Sequence, residues 1–272
     1  MPSSSSTRTS YSTSKSGMAW ASVIDAHGRQ YYTDQFNHRV VVGDITGRTW
    51  SFGQSGQGAG DLRFPRGLAV VSAATAEATQ VFVADTRNNR IQVFDGVGRL
   101  QFAFGGYGDK AGQFRAPADL VIAYPDLPWE GERGSSQALP VLVVSDQWNG
   151  RLQVFTLEGA WLATIGGRAV VRNDAADAMP ECPFFRLDAL GVPRDPVRLS
   201  WHGPWLTVVG GNGRAHRIDL AAALLPTFDQ WQQAAPEAER AHARRYFALS
   251  RHNRREVPAG VLQALSLDSC VA

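Results

Sequence analysis

Two kinds of residue in this chain have the chemistry for a site: acid–base pairs that recur, and single groups that do not. Asp34 and Arg39, Asp85 and Arg90, and Asp146 and Arg151 stand at one common spacing, with Asn37, Asn88 and Asn149 inside each pair. A carboxylate beside a guanidinium suits proton transfer, but a catalytic group normally occurs once, at one asymmetric site. A pair that returns in every repeat is expected to be structural glue, buried where a strand end meets its neighbour. The single groups are sparse. His27, His38, His202, His216, His242 and His252 show no ligand spacing such as His-Glu-x-x-His, so neither metal nor cofactor is expected. Gly56–Gly60 and Gly105–Lys110 lack the Gly-Lys-Ser/Thr ending and open no helix, so they read as connections rather than phosphate cradles.

The elements that position these pairs are short and alternating. Val81–Val83, Ile91–Phe94 and Leu100–Phe104 alternate in period 2, and turn-rich Asp85–Asn89 and Asp95–Gly98 separate them. That pattern predicts antiparallel strands joined by hairpins. Tyr31–Val40 and Val144–Phe155 repeat it, with a shared core of Asp-x-x-Asn-x-Arg followed by Val, Ile or Leu. Gly56–Pro65 and Gly106–Phe114 form a second repeated element. Asp34, Asp85 and Asp146 are 51 and then 61 residues apart, a period that indicates a repeat architecture.

These two linked motifs resemble those of the NHL-repeat β-propellers and, more distantly, the YWTD-type propellers, over residues 20 to 166. The resemblance implies an all-β propeller of four-stranded blades, about four of them recognisable here. In blade 1, strands are expected at Ala21–Asp25, Arg29–Thr33, Arg39–Asp44 and Arg48–Phe52. Blade 2 begins at Gly67 and blade 3 at Ala118, with insertions at 72–79 and 124–140. A degenerate fourth unit covers Pro196–Trp201, Trp205–Val209 and Ala215–Leu220, where Gly210–Arg214 stands in place of the Asp motif. The family usually closes with six blades, and this chain is too short for six. A four- or five-bladed ring and an open arc completed by a second copy both remain open.

The expected domains are a Ser/Thr-rich disordered tail at 1–17, the propeller at 18–221 and a mainly helical extension at 222–272. From Phe228 to Glu256 the period-2 pattern is gone and Ala, Gln, Glu and Arg predominate, which favours helix. Val261–Leu267 fits either a closing strand or a short helix. Net charge is +2, and 25 of the 27 basic residues are Arg, so the total does not demand a polyanion partner. Cys182 and Cys270 are too few for a disulfide framework, and no apolar run reaches membrane length. A cytoplasmic location without membrane insertion is the expectation.

Function is expected in what varies within the repeat. The hairpin after each second strand presents free positions, Gln35-Phe36, Thr86-Arg87, Gln147-Trp148 and, in the degenerate unit, Asn212. On a propeller these tips share one rim. Phe36, Arg87, Trp148 and Asn212 are therefore the candidate binding residues, and the first reading is a non-catalytic module that binds a protein. Phe36 and Trp148 folding back on a neighbouring blade is the alternative. Some NHL propellers bind single-stranded RNA, so the rim together with Arg240, Arg244, Arg245, Arg251, Arg254 and Arg255 is a second candidate surface. That helical segment is also a candidate partner or homodimer contact. Propeller lyases and lactonases resembling the family hold a metal or acid–base residues on the innermost strands. Those strands offer mainly Asp25, Asp119, Ser200 and His202 here, a thin set, so an enzyme is the third reading.

Overall fold

The computed structural model describes residues 19–125, 140–166, 186–187, 192 and 196–224. The tail at 1–17, Arg240 to Arg255, Val261–Leu267, Cys182 and Cys270 lie outside these residues. Blade 1 is β1 (Ala19–Ile24), β2 (Gln30–Asp34), β3 (Arg39–Gly43) and β4 (Thr49–Phe52), and blade 2 is β5 (Leu68–Val71), β6 (Gln80–Asp85), β7 (Arg90–Asp95) and β8 (Leu100–Gly105). Blade 3 is β9 (Pro117–Ala123), β10 (Val141–Asp146), β11 (Arg151–Phe155) and β12 (Trp161–Gly166), with the two-residue β13 (Arg186–Leu187) laid parallel on its outer edge. Blade 4 has three described strands, β14 (Pro196–His202), β15 (Trp205–Gly210) and β16 (Ala215–Asp219), and a helix starts at Leu220. The chain is a β-propeller of four antiparallel blades. None of the described helices is long and apolar enough to cross a membrane.

The cores lie between blades rather than within them. Val40, Val42, Tyr31, Leu68, Val81 and Val83 fill the space between blades 1 and 2. Phe82, Ile91, Val93, Leu120, Leu142 and Val144 do so between blades 2 and 3, and Val143, Leu152, Val154, Leu199, Leu206 and Val208 between blades 3 and 4. Successive side chains of a strand point to opposite faces, so a middle blade feeds two cores. Strands β6 and β10 are accordingly buried almost along their length, while β3 and β15 alternate between buried and half-buried. Among the described residues no such core joins blade 4 to blade 1; the two meet across the axis through Arg198, whose guanidinium lies 5.7 Å from the Trp20 ring centre.

The innermost strands β1, β5, β9 and β14 are stitched by side-chain hydroxyls. Thr33 Oγ1 donates to the Arg66 carbonyl at 2.8 Å, and Ser145 Oγ donates to the Pro196 carbonyl at 2.9 Å. Blade 2 has Ala84 where these have Thr33 and Ser145, and Thr86, two residues on, donates to the Pro117 carbonyl at 2.8 Å instead. The hydroxyl is conserved in function while shifting in position.

Asp119 sits at the tightest point of this inner layer. Its Oδ2 accepts from Leu199 N–H of blade 4 at 2.8 Å and its Oδ1 from Leu120 N–H at 2.9 Å. Gly67 of blade 2 packs so closely that a Cβ there would meet the Asp119 backbone at 2.6 Å. Burial pushes the Asp119 carboxyl up from 3.8 to about 7, against the two N–H bonds and the Arg198 charge, which favour the ionised form. Between those values the folded chain holds a proton that the unfolded chain has released, so this group makes stability fall as pH rises from about 4 to about 7 and adds no further slope above. Comparing urea midpoints of the native chain and Asp119→Asn across that window, the difference should shrink or reverse toward pH 7; parallel profiles would show that Asp119 does not titrate there.

Candidate functional site

One face of the propeller is built from the hairpins that follow each second strand and the glycine-rich connections between blades. A repeated polar knot holds them together. In blade 2, Asp85 Oδ2 accepts from Arg90 Nε at 2.8 Å, Asn88 Nδ2 at 2.8 Å and Gln92 Nε2 at 3.1 Å, and Oδ1 accepts from Arg63 N–H at 2.7 Å. Blade 3 repeats this around Asp146 with Arg151 at 2.7 Å, Asn149 at 2.8 Å, Gln153 at 3.2 Å and Arg115 N–H at 2.8 Å. Burial pushes both carboxyls up, while the hydrogen bonds and arginines around them pull the other way.

The other ends of these donors reach the connection arriving from the previous blade. Arg90 Nη2 donates to the carbonyls of Gly58 and Asp61, and Arg151 to those of Asp109, Lys110 and Gln113. Gln92 and Gln153 each close a two-way bond, donating to Asp61 O and Gln113 O and accepting from Gly60 N and Gly112 N. That is why the two sequence motifs travel together: each Asp-x-x-Asn-x-Arg needs a glycine-rich loop to clamp. The glutamine two residues after the arginine belongs to the motif as well; it stands in the repeats at Gln92 and Gln153, whereas blade 1 has Val41 there. His38, Asn89 and Gly150, between the Asn and the Arg, have φ of 57°, 56° and 65°. The left-handed region favours Gly and tolerates Asn and His, which accounts for the residue types seen.

On this frame the structure places the candidate binding residues as follows. Phe36 is 53% exposed, with the Phe64 ring edge-on at 6.3 Å. Phe64 also meets His38 at 4.7 Å and carries the Arg87 guanidinium 5.7 Å from its ring centre. At the next junction Trp148 is 62% exposed, its N–H donates to Arg115 O at 3.1 Å, and the Arg115 guanidinium lies 5.3 Å from the ring centre of Tyr107, itself 69% exposed. The hairpins thus bring Phe36 and Arg87 to one cluster and Trp148 to a second, with Phe64, Tyr107 and Arg115 added from the connections. Those three sit in loops with no strand period, and only pairing with the hairpins reveals them. Asn212 is exposed in the β15–β16 turn and joins neither cluster. Its turn, with Gly210 N–H to Arg214 O at 3.0 Å and Gly213 N–H to Gly210 O at 2.9 Å, matches the Asp44–Arg48 and Asp95–Arg99 turns rather than the Asp-x-x-Asn-x-Arg hairpins.

The channel candidates have separate surroundings. Asp25 is committed to Arg29 at 2.6 Å and to the N–H groups of His27 and Arg29, Asp119 is bonded as above, Ser200 is half-buried, and His202 is exposed at the end of β14. No group of three His, Cys, Asp or Glu suited to a metal ion occurs among the described residues.

No protein-family model matches the chain. A 70-residue stretch is 39% identical to the RING finger protein nhl-1 of Caenorhabditis elegans, covering 26% of this chain and 7% of that protein. Among solved structures, virginiamycin B lyase from Staphylococcus aureus is similar with a TM-score of 0.42 and 10% identity over 76% of this chain and 57% of that one. An auxiliary nutrient binding protein from Bacteroides thetaiotaomicron is similar with a TM-score of 0.42 and 14% identity over 71% and 45%. The chain therefore spans less than two thirds of each of these relatives.

The knots differ in solvent access. The arginine side chain is 43% exposed in the Asp34 pair, 19% in the Asp85 pair and 10% in the Asp146 pair. Removing one partner of a buried pair strands the other, at about 3–5 kcal/mol, whereas an exposed pair contributes about 0–1 kcal/mol. Alanine at Asp146 should therefore be most destabilising in chemical denaturation, Asp85→Ala next and Asp34→Ala least; equal losses at the three sites would refute the clamp.

Proposed function

We propose that this chain is an NHL-type propeller serving as a non-catalytic binding or scaffold module, and that the rim of hairpins and connections is where it recognises a protein partner. The observation that carries this reading is the exposure of Phe36, Tyr107 and Trp148 on one face, each tied to a rigid backbone knot. Large aromatic side chains held in solvent on a preorganised frame are the groups that anchor interfaces at low entropic cost. The likeness to nhl-1 supports the family, and the engagement of Asp25 by Arg29 and of Asp119 by backbone N–H groups weighs against a channel enzyme. Within this proposal the binding domain is 18–221, and the arginines from Arg240 to Arg255 in 222–272 are a second contact or a homodimer element. A single-stranded RNA partner is the second reading, favoured by the Arg87 and Arg115 guanidiniums near the exposed Phe36 and Trp148.

The test is a crosslinking and copurification comparison between the native chain and the Phe36→Ala, Trp148→Ala double variant. Both side chains are exposed, so the melting temperature should stay within a few degrees. Recovery of specific protein partners should drop about tenfold, the usual effect of truncating an interface anchor. Undiminished recovery would sink the rim reading, and partners that vanish after nuclease treatment alone would favour RNA.

A further inference from the structure

We infer that the rim takes an acidic, extended polypeptide segment, its carboxylates on Arg63, Arg87 and Arg115 and its apolar side chains against Phe36 and Trp148; this rests on the rim reading above. The first support is how charge is divided on this face. The buried carboxylates of Asp34, Asp85 and Asp146 are each taken by Arg39, Arg90 and Arg151. Arg63, Arg87 and Arg115 have no carboxylate within salt-bridge distance among the described residues, and Asp61 is bonded instead to Gln54 Nε2 and Gly58 N–H. These three arginines, without a salt bridge among the described residues, thus lie on the face that bears the exposed aromatics, together with Lys110 and the acids Asp61 and Asp109.

These cations are also preorganised. Arg63 and Arg115 occupy equivalent places one blade apart, their N–H groups fixed on Asp85 and Asp146. Arg87 and Arg115 lie over Phe64 and Tyr107, a placement that leaves the edge of a guanidinium fork free for a carboxylate. Arg115 Nε is buried with no hydrogen-bond partner among the described residues.

Stacked bases fit this surface less well than carboxylates. Phe64 is already engaged by Phe36, His38 and Arg87, and Tyr107 by Arg115, so few ring faces remain for successive bases. A peptide needs only the outward guanidinium edges and the apolar surface of Trp148 and Phe36.

Fluorescence anisotropy on the full chain tests this with three labelled probes: a 15-residue peptide alternating Glu or Asp with Phe or Leu, the same peptide with Gln and Asn for the acids, and a 15-nucleotide oligouridine. The acidic peptide should bind about tenfold tighter than the neutral one and weaken several-fold as salt rises from about 50 to about 300 mM. The Arg87→Glu, Arg115→Gln double variant should lose about tenfold for the acidic peptide and little for the neutral one, with its melting temperature confirming the fold. If the neutral peptide binds equally well and Trp148→Ala weakens it, the rim reading stands and the acidic one falls. Tighter binding of oligouridine than of the acidic peptide overturns the proposal in favour of nucleic acid. An acidic peptide indifferent to the double variant, or no binding by any probe, also overturns it, and the rim reading then rests on its own partner test.

Discussion

The carboxylate at the head of each hairpin is the constraint on which the remaining architecture depends. Asp85 and Asp146 each gather an arginine, an asparagine, a glutamine and a backbone N–H, and the arginine and glutamine continue to the carbonyls of the incoming connection. Glycine-rich loops have no packing of their own to define them, and their backbone groups must still be satisfied when covered. The knot meets both needs at once: it gives the loop acceptors and donors, and it fixes where the next blade begins. A buried carboxylate is tolerated there because four donors, one of them a guanidinium, converge on it.

Blade order then determines how stiff each part of the rim is. Blades 2 and 3 are covered on both faces by neighbouring sheets, while blades 1 and 4 contribute one face each to a described core. The Asp34 knot at the first blade reflects this position: Val41 replaces the glutamine, no described connection lies on Arg39, and the arginine is more exposed. The cluster around Tyr107, Arg115 and Trp148 stands on the most enclosed knot, so its exposed rings are presented from the part of the molecule least free to yield.

Two populations of arginine differ in what their guanidiniums meet. Arg39, Arg90 and Arg151 meet carboxylates within 3.1 Å, and Arg90 and Arg151 spend their remaining donors on loop carbonyls. Arg87 and Arg115 meet rings instead. A ring holds a guanidinium without consuming its hydrogen-bonding capacity.

The sequence by itself determined the strands, the hairpins and the recurrence, because period-2 burial and turn chemistry are local and the repeat prints them three times over. Strand ends in blade 1 fall within a residue or two of the pattern, and the left-handed turn position is readable from His38, Asn89 and Gly150. The same locality shows the Asp, Asn and Arg of the knot as a set, though not what they clamp. Phe64, Tyr107 and Arg115 lie in loops whose role depends on which hairpin they meet, and no periodicity marks such residues. Asp119 is a similar case: nothing around it in the chain announces a carboxyl buried against Leu199, 80 residues away, or a glycine of another blade pressed on its backbone. Asn212 lies in the hairpin after the second strand of its blade, as its place in the repeat suggests, but the hydrogen bonds there make a tight turn of another class, which the repeat spacing does not show. Contacts between blades were decided only in three dimensions, because they join residues whose separation along the chain carries no signal of their meeting.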